Sequence, residues 1–295
     1  MASVRRFLLT TLVVTAFLIH IAPTPSPSVH LVAPSATGSA LTEMLSSSVH
    51  LVAHSATGST LGGRWSPAPG LTWQWQLQGN LDTSVDVDVY GIDMFDNSAA
   101  VVEHLHDDGR KVICYISAGS WERWRPDADN FSDAVTGRKL DGWPGERWLD
   151  VRRLNQLRPI MNARMNKCAD KGFDAIEFDN VDGYTNQTGF PLSGSDQRRY
   201  NRYLADAAHN RGLAAGLKND LDQIDVLEPH FDFAVNEQCF QYHECGALDD
   251  FIDAGKAVFQ VEYELAREEF CPQARNRDFS SMRKRYSLKA WRRPC

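Results

Sequence analysis

The sequence predicts an α/β fold: a (β/α)8 TIM barrel over residues 66–295, preceded by a signal peptide (1–22) and a disordered linker (23–65). Three observations predict it. The chain has 295 residues, 43% of them hydrophobic, which is enough to bury one large core. From residue 71 onward, seven apolar strand-like runs and a weak eighth alternate with helical segments. No Gly-rich phosphate loop follows the first run, which disfavours a doubly wound open sheet.

The first 22 residues have the layout of a secretory signal. Arg5 and Arg6 precede the apolar residues 7–21, and small and turn-forming residues follow from Ala22. The alternative is an uncleaved membrane anchor, but the apolar run is shorter than the ~20 residues that a spanning helix needs. We therefore expect a secreted, extracellular protein that has no membrane contact after cleavage.

Residues 23–65 are rich in Ser, Thr, Ala and Pro, and they contain a duplication. Residues 28–39 recur as residues 48–59, with His54 in place of Pro34. Two copies are too few for a solenoid, which needs about three repeats to stabilise itself. This composition cannot bury a core, so the segment is predicted to be a disordered linker.

The barrel elements follow from the periodicity of apolar residues. A helix is predicted where Val101, Val102 and Leu105 recur at helical spacing before Gly109, and two more are predicted at 157–171 and 196–211. A long Trp-containing excursion separates the third strand from the second helix. The predicted strands are 71–77, 85–92, 111–116, 173–179, 213–217, 231–235, 257–261 and a weak eighth at 279–283.

Most of the predicted strands end in polar or charged residues. In a barrel the carboxyl ends of parallel strands share one mouth, so these side chains are expected to converge there. Two carboxylates facing each other across such a mouth can cleave a glycosidic bond, one as acid and the other as nucleophile or base. An ion pair of Asp93 or Glu262 with Lys218 is the structural alternative. The converging residues are Asp93, Tyr115, Asp179, Lys218, Glu237 and Glu262.

Several other classes of function are disfavoured. The formal net charge of −7 argues against nucleic-acid binding, which needs a basic face. The Asp-rich residues 179–183 do not match a calcium-binding loop, and no Gly-x-Ser-x-Gly elbow of a serine hydrolase occurs. We expect neither a metal nor a cofactor.

Six cysteines, an even number, fit an exported and oxidised protein. Cys239 and Cys245 are close enough in sequence to clip a loop, and Cys271 with Cys295 could tie down the C-terminal tail. Cys114 and the helical Cys168 are left open, either as a pair or as two buried thiols.

Five motifs in order resemble glycoside hydrolase family 114, over the chain from about Trp73 to Cys295. They are Tyr115-Ile116-Ser117-Ala118-Gly119-Ser120-Trp121-Glu122, Trp148-Leu149-Asp150, Glu177-Phe178-Asp179-Asn180-Val181-Asp182-Gly183-Tyr184, Gly216-Leu217-Lys218-Asn219 and Asn236-Glu237-Gln238-Cys239. The resemblance implies a (β/α)8 barrel with endo-α-1,4-polygalactosaminidase activity. It also implies that Asp179 is the nucleophile and Glu237 the general acid/base.

A retaining mechanism is expected, with the two carboxyl groups about 5 Å apart rather than roughly 6.5–9.5 Å. Acids at the mouth would complement the ammonium group of deacetylated galactosamine. The alternatives are a non-catalytic carbohydrate-binding barrel and an α-galactoside or α-glucan hydrolase. The partner expected is a polysaccharide, and the protein is expected to be a monomer. The predicted substrate-binding residues are Asp93, Tyr115, Asp182, Tyr184, Lys218, Glu262 and Tyr263.

Overall fold

A computed structural model describes residues 63–295. The signal peptide at 1–22 and nearly all of the linker at 23–65 lie outside these residues, so both stay predictions. No helix within residues 63–295 is long and apolar enough to cross a membrane.

The core of the described chain is a curled sheet of eight parallel strands, and a two-residue ninth strand, β12, runs antiparallel to β11 at its end. The parallel strands are β1 to β3 and β7 to β11, and they pair in chain order from β1 to β11. The twelve strands are β1 Trp73–Gln76, β2 Val89–Asp93, β3 Lys111–Ser117, β4 Ser120–Glu122, β5 Thr136–Lys139, β6 Glu146–Leu149, β7 Ala175–Asp179, β8 Ala214–Lys218, β9 Phe233–Glu237, β10 Val258–Glu262, β11 Ser280–Arg283 and β12 Arg293–Pro294.

Helices cover the outer face of the sheet. They are α1 Ala99–Asp107, α2 Leu154–Asp170, α3 Gly194–His209, α4 Ile224–Leu227, α5 Cys239–Tyr242, α6 Asp249–Asp253 and α7 Arg267–Asn276. Short 3-10 helices lie at Ala128–Asn130, Asp133–Val135, Gly183–Thr185, Leu221–Gln223, Glu228–His230 and Cys245–Leu248. All eight predicted strands and all three predicted helices are present, which confirms the (β/α)8 barrel.

The two edges of the parallel sheet meet through side-chain and loop contacts. The Trp73 indole on β1 donates a 2.7 Å hydrogen bond to the Ser280 carbonyl oxygen on β11. The Leu77 amide, just after β1, donates to the Leu288 carbonyl oxygen at 3.0 Å. These contacts bring the last strand back to the first and enclose the interior.

Side chains inside the barrel form a core separate from the one beneath the helices. It is built from large aromatic residues such as Trp73, Phe233 and Phe259, which pack at centroid distances of 5.0–5.8 Å. Gly216 makes room for them, because a Cβ there would lie 2.3 Å from the Phe233 ring. Because these aromatic side chains fill the interior of the barrel, the cavity at the mouth lies above them, at the carboxyl ends of the strands.

The Trp-containing excursion after β3 folds into a small sheet that the sequence did not predict. Its strands β4, β6 and β5 pair antiparallel in that order. They are only three or four residues long, too short to show a period-two pattern of apolar residues. This sheet stands at one side of the barrel mouth.

All six cysteines are paired. The loop clip Cys239–Cys245 and the tail tie Cys271–Cys295 both form. The question left open by the sequence is resolved in favour of a third disulfide, Cys114–Cys168, which joins β3 to α2.

Candidate active site

Three neighbouring strands each end in a charged residue that is followed by a residue in the left-handed region. The charged residues are Asp179 on β7, Lys218 on β8 and Glu237 on β9. A left-handed conformation is uncommon outside glycine, and it turns the chain sharply away from the strand. The charged side chains are thus left at the mouth while the backbone departs. The left-handed residues are Asn180, Asn219 and Gln238, with φ of 61°, 51° and 64°.

Lys218 bridges the two carboxylates. Its Nζ lies 2.9 Å from Asp179 Oδ1 and 2.6 Å from Glu237 Oε2. Since these two distances sum to 5.5 Å, the two carboxylate oxygens are at most 5.5 Å apart. The ammonium also sits 5.3 Å from the centre of the Trp75 ring, which supports it from below. The structure therefore brings together the two acids that were predicted to be catalytic.

A tyrosine donates to each of these carboxylates. The Tyr115 hydroxyl donates to Asp179 Oδ2 at 2.7 Å, and the Tyr263 hydroxyl donates to Glu237 Oε1. Burial, followed by the charge of the adjacent carboxylate, raises the pKa of both phenols above the ordinary value. Both tyrosines therefore stay protonated and act as donors.

Opposing effects act on the charges of this cluster. Burial alone would raise the pKa of Asp179, but Lys218 and the hydrogen bonds from Lys218 and Tyr115 outweigh it and hold the pKa below the ordinary value. Burial alone would lower the pKa of Lys218, but the Asp179 and Glu237 charges raise it. Asp179 is therefore an anion and Lys218 a cation over the whole physiological pH range.

Glu177 lies one inward-facing position deeper on β7 than Asp179. It is fully buried and accepts a 2.9 Å hydrogen bond from the Trp75 indole. Burial raises the pKa of Glu177 to about 8, so this acid is mostly neutral at pH 7. Because Glu177 is buried below the mouth and hydrogen-bonded to the Trp75 indole, it supports the site from beneath.

The mouth opens as a cavity of about 320 Å³ that is strongly acidic. Eight acidic residues line it against two basic ones, Arg125 and Lys218. Exposed aromatic side chains stand at its rim: Trp124 is 50% exposed, Trp143 43% and Tyr286 54%. Tyr286 stacks on Tyr263 with ring centroids 4.3 Å apart. The cavity suits a positively charged ligand with flat apolar faces.

Asp93 lines the mouth, but its carboxylate is already paired. Arg125 Nη1 and Nη2 donate to its two oxygens at 2.9 and 2.6 Å. The same guanidinium lies 2.7 Å from Glu122 Oε1. The ion pair of Asp93 with Lys218 that was considered from the sequence does not form; Arg125 from the excursion pairs with Asp93 instead.

Glu262 does not reach the mouth, so the prediction that it converges there is wrong. Adjacent residues of a strand point to opposite faces. Because Val261 on β10 faces the interior core, Glu262 faces outward. Its Oε1 accepts hydrogen bonds from the Phe240 amide at 2.9 Å and from Gln260 Nε2 at 2.8 Å, and the residue is fully buried. Tyr263, the next residue, reaches the mouth instead.

Asp182 and Tyr184 follow β7 and line a second cavity, of about 380 Å³, which we call the side cavity. Asp182 lies on the boundary of both cavities and has no ion-pair partner within residues 63–295. Burial and then the charge of Asp179 raise the pKa of Asp182 to about 6. Tyr184 touches the side cavity alone.

The family model of glycoside hydrolase family GH114 matches residues 54–295. The chain belongs to glycoside hydrolase family 114. It is therefore a glycoside hydrolase, an enzyme that acts on O-glycosyl bonds. No curated protein matches the chain.

Two solved structures resemble the chain. The crystal structure of Aspergillus fumigatus Ega3 in complex with galactosamine is 41% identical, covers 79% of this chain and 98% of its own, and superposes with a TM-score of 0.76. The glycoside hydrolase domain of PelA from Pseudomonas aeruginosa is 14% identical, with 76% and 98% coverage and a TM-score of 0.59. At that identity PelA supports the barrel fold alone.

Four of the acids that line this family-114 mouth were not predicted from the sequence: Asp96, Glu122, Asp141 and Glu146. Glu146 on β6 lines the cavity and accepts a 2.7 Å hydrogen bond from Ser120 Oγ. Burial raises the pKa of Glu146 to about 7. The only sequence signal was the concentration of tryptophan around it in the excursion. Since that segment has no strand-length pattern, its position beside the mouth could not be read from spacing.

Gly119 fixes the distance between β3 and β7 at the mouth. Its amide donates to the Asp179 carbonyl oxygen at 3.0 Å, and a Cβ at this position would lie 1.6 Å from the Asn180 carbonyl oxygen. Only glycine allows this approach. Gly119 therefore determines how closely the segment after β3 approaches the end of β7, and with it the position of Asp179.

Proposed function

We propose that this protein is a secreted endo-glycosidase that hydrolyses α-1,4-linked galactosamine polysaccharide with retention of configuration. The observation that carries the proposal is the pair of carboxylates held by one lysine at the base of an acidic mouth. An upper limit of 5.5 Å between Asp179 Oδ1 and Glu237 Oε2 fits the ~5–5.5 Å separation of retaining glycosidases better than the ~6.5–9.5 Å of inverting ones.

In the first step, an Asp179 oxygen attacks the anomeric carbon while the carboxyl proton of Glu237 passes to the glycosidic oxygen. The bond between that carbon and oxygen breaks, the leaving chain departs as an alcohol, and the other chain stays esterified to Asp179. Lys218 and Tyr115 stabilise Asp179 as an anion, which makes it the nucleophile. The proton that the reaction needs is therefore assigned to Glu237.

In the second step, Glu237 takes a proton from water, whose oxygen attacks the same carbon and releases Asp179. Two inversions at one carbon give net retention. Tyr263 donates to Glu237 in both steps and orients it. Lys218 stays protonated throughout and holds the two carboxyl groups in register.

The acidity of the mouth supports a cationic amino sugar as substrate. Eight acids against two bases would repel anionic sugars and attract an ammonium. Asp182, which has no ion-pair partner within residues 63–295, is available for such a charge. The galactosamine bound to the 41% identical Ega3 structure supports the same sugar. Three disulfides support an oxidising, extracellular location.

The test is incubation with α-1,4-galactosamine polymer, followed by sizing of the products and by NMR of the anomeric configuration that appears first. Release of α-anomers is expected, and β-anomers would refute retention. Cleavage of neutral α-galactosides in preference to the amino polymer would move the assignment to an α-galactoside hydrolase. Asp179→Asn and Glu237→Gln should each lose nearly all turnover.

Azide separates the two roles. With an activated aryl α-galactosaminide oligomer, Glu237→Ala should give the α-glycosyl azide, because azide replaces water in the second step. Asp179→Ala should give the β-glycosyl azide, because azide then replaces the nucleophile. The reverse pattern would show that the roles are exchanged.

A further inference from the structure

The side cavity is lined by Glu237 but not by Asp179, the proposed nucleophile. It shares four residues with the main cavity: Asp182, Asn219, Glu237 and Gln238. Asp179, Tyr115 and Lys218 line the main cavity and not this one. We propose that the side cavity binds the amino sugar on the leaving side of the scissile bond, and that Asp220 and Asp222 recognise its ammonium group. The inference rests on the proposed function.

The position relative to the two carboxyl groups assigns the side. A general acid contacts the oxygen shared by the two sugars, whereas the nucleophile contacts only the sugar whose anomeric carbon it attacks. A cavity that is lined by Glu237 but not by Asp179 can hold the sugar attached through that oxygen. That sugar is the one that leaves in the first step.

The chemistry of the lining selects a cation. Five acids line the side cavity, and no lysine or arginine does; the acids are Asp182, Asp220, Asp222, Glu237 and Glu244. Tyr242, 59% exposed, supplies an aromatic face at the edge. A protonated amine fits this lining, while an acetamide would bring its carbonyl oxygen against carboxylates.

Asp220 provides an independent sign of a missing donor. The residue is 3% exposed, and its Oδ2 accepts a 2.9 Å hydrogen bond from Asn201 Nδ2. Its Oδ1 has no hydrogen-bond partner at ordinary distance within residues 63–295, and the Tyr184 hydroxyl, which likewise has none, is close enough to lower the pKa of Asp220 as a donor. Buried polar atoms are seldom left without a partner, and an ammonium brings three donors.

Two further features describe the Asp220 carboxyl. It stands in the left-handed region, with φ of 50°, directly after the left-handed Asn219 that follows β8. Burial and then the charge of Asp182 raise the pKa of Asp220 to about 8, so ionisation of this carboxyl at neutral pH costs free energy. An ammonium beside the carboxyl lowers that pKa, so binding of a cation is coupled to loss of the Asp220 proton.

The test uses a half-acetylated α-1,4-galactosamine polymer and tandem mass spectrometry of both ends of each product. Cleavage makes the attacked sugar a new reducing end and the leaving sugar a new non-reducing end. The wild-type enzyme should give non-reducing ends in which the free amine outnumbers the acetylated sugar by roughly tenfold, the low end for one hydrogen bond to a charged group.

Asp220→Asn should reduce this bias roughly tenfold while the sugars at the reducing ends stay as in the wild type. Asp222→Asn should also reduce the bias toward free amines at the non-reducing ends. Because Asp222 is exposed, this variant tests the inference even if the buried Asp220→Asn fails to fold. Asp225→Asn, exposed on α4 and outside both cavities, is the matched control and should keep the wild-type bias.

Non-reducing ends that follow the composition of the polymer would overturn the inference, and so would folded variants at 220 and 222 that keep the full bias. Both results would leave the proposed function standing, because cleavage still occurs. No cleavage of the polymer by the wild type would instead overturn the proposed function, and the inference with it.

Discussion

Replacing Lys218 by Met tests whether one cation organises both carboxyl groups. The Lys218 ammonium lies 2.9 Å from Asp179 Oδ1 and 2.6 Å from Glu237 Oε2, in a residue that is 3% exposed. Methionine keeps most of the length and apolar contacts of the side chain and removes the charge. Asp179 then keeps the cost of burial and loses its main stabilising partner.

The sign of the effect follows from the direction of the pKa shift. The pKa of Asp179 lies below its ordinary value in the wild type, and only the ionised form is nucleophilic. Without Lys218 that pKa rises, so activity is lost first at low pH. A hydrogen bond to a charged group contributes about 1.5–3 kcal/mol, and about 1.4 kcal/mol corresponds to one pH unit. The acidic limb of the pH profile should therefore move upward by roughly one to two pH units.

The assay is release of reducing ends from the galactosamine polymer between about pH 3 and 9, with circular dichroism at each pH. At the pH optimum, kcat/KM should also fall by at least roughly tenfold, because the two carboxyl groups are no longer held in register. Lys256→Met is the matched control, since Lys256 pairs with Glu228 at 2.5 Å outside both cavities. An acidic limb of Lys218→Met that coincides with that of the wild type would refute the bridging role.

Two further predictions concern the frame around the site. Gly119→Ala should lower kcat roughly 100-fold, because its methyl group must push Asn180 out of place. Gly246→Ala is the control and should keep wild-type kcat, since its added methyl group meets nothing within 4 Å. Equal activity of the two variants would contradict the packing argument. Removing the Cys114–Cys168 disulfide, which closes a 54-residue separation, should lower the free energy of unfolding by up to about 4 kcal/mol in denaturant titration, and an unchanged midpoint would show that the link carries no stability.

Much of the fold could be predicted because each barrel strand is an apolar run bounded by a polar end. That pattern is local, so the eight strands and the helices at α1, α2 and α3 could be predicted from periodicity alone. The small sheet β4–β6–β5 could not, because strands of three or four residues carry no readable alternation. Arg125 and Glu146 reach the mouth on this segment, so they were missed with it.

The strand ends, the order of the motifs and the alternation that places Glu177 below Asp179 can be read from the sequence. Which strand-end side chains share the mouth depends on the tertiary structure. The last residue of β10, Glu262, occupies an outward-facing position, whereas the last residues of β7, β8 and β9 face inward. Asp93 is held by an arginine from a distant segment of the chain. The bridge from Lys218 to both carboxylates likewise depends on the spacing of three neighbouring strands. Such contacts depend on the curl of the sheet and the register of its strands, and neither can be read from the local pattern of residues along one strand.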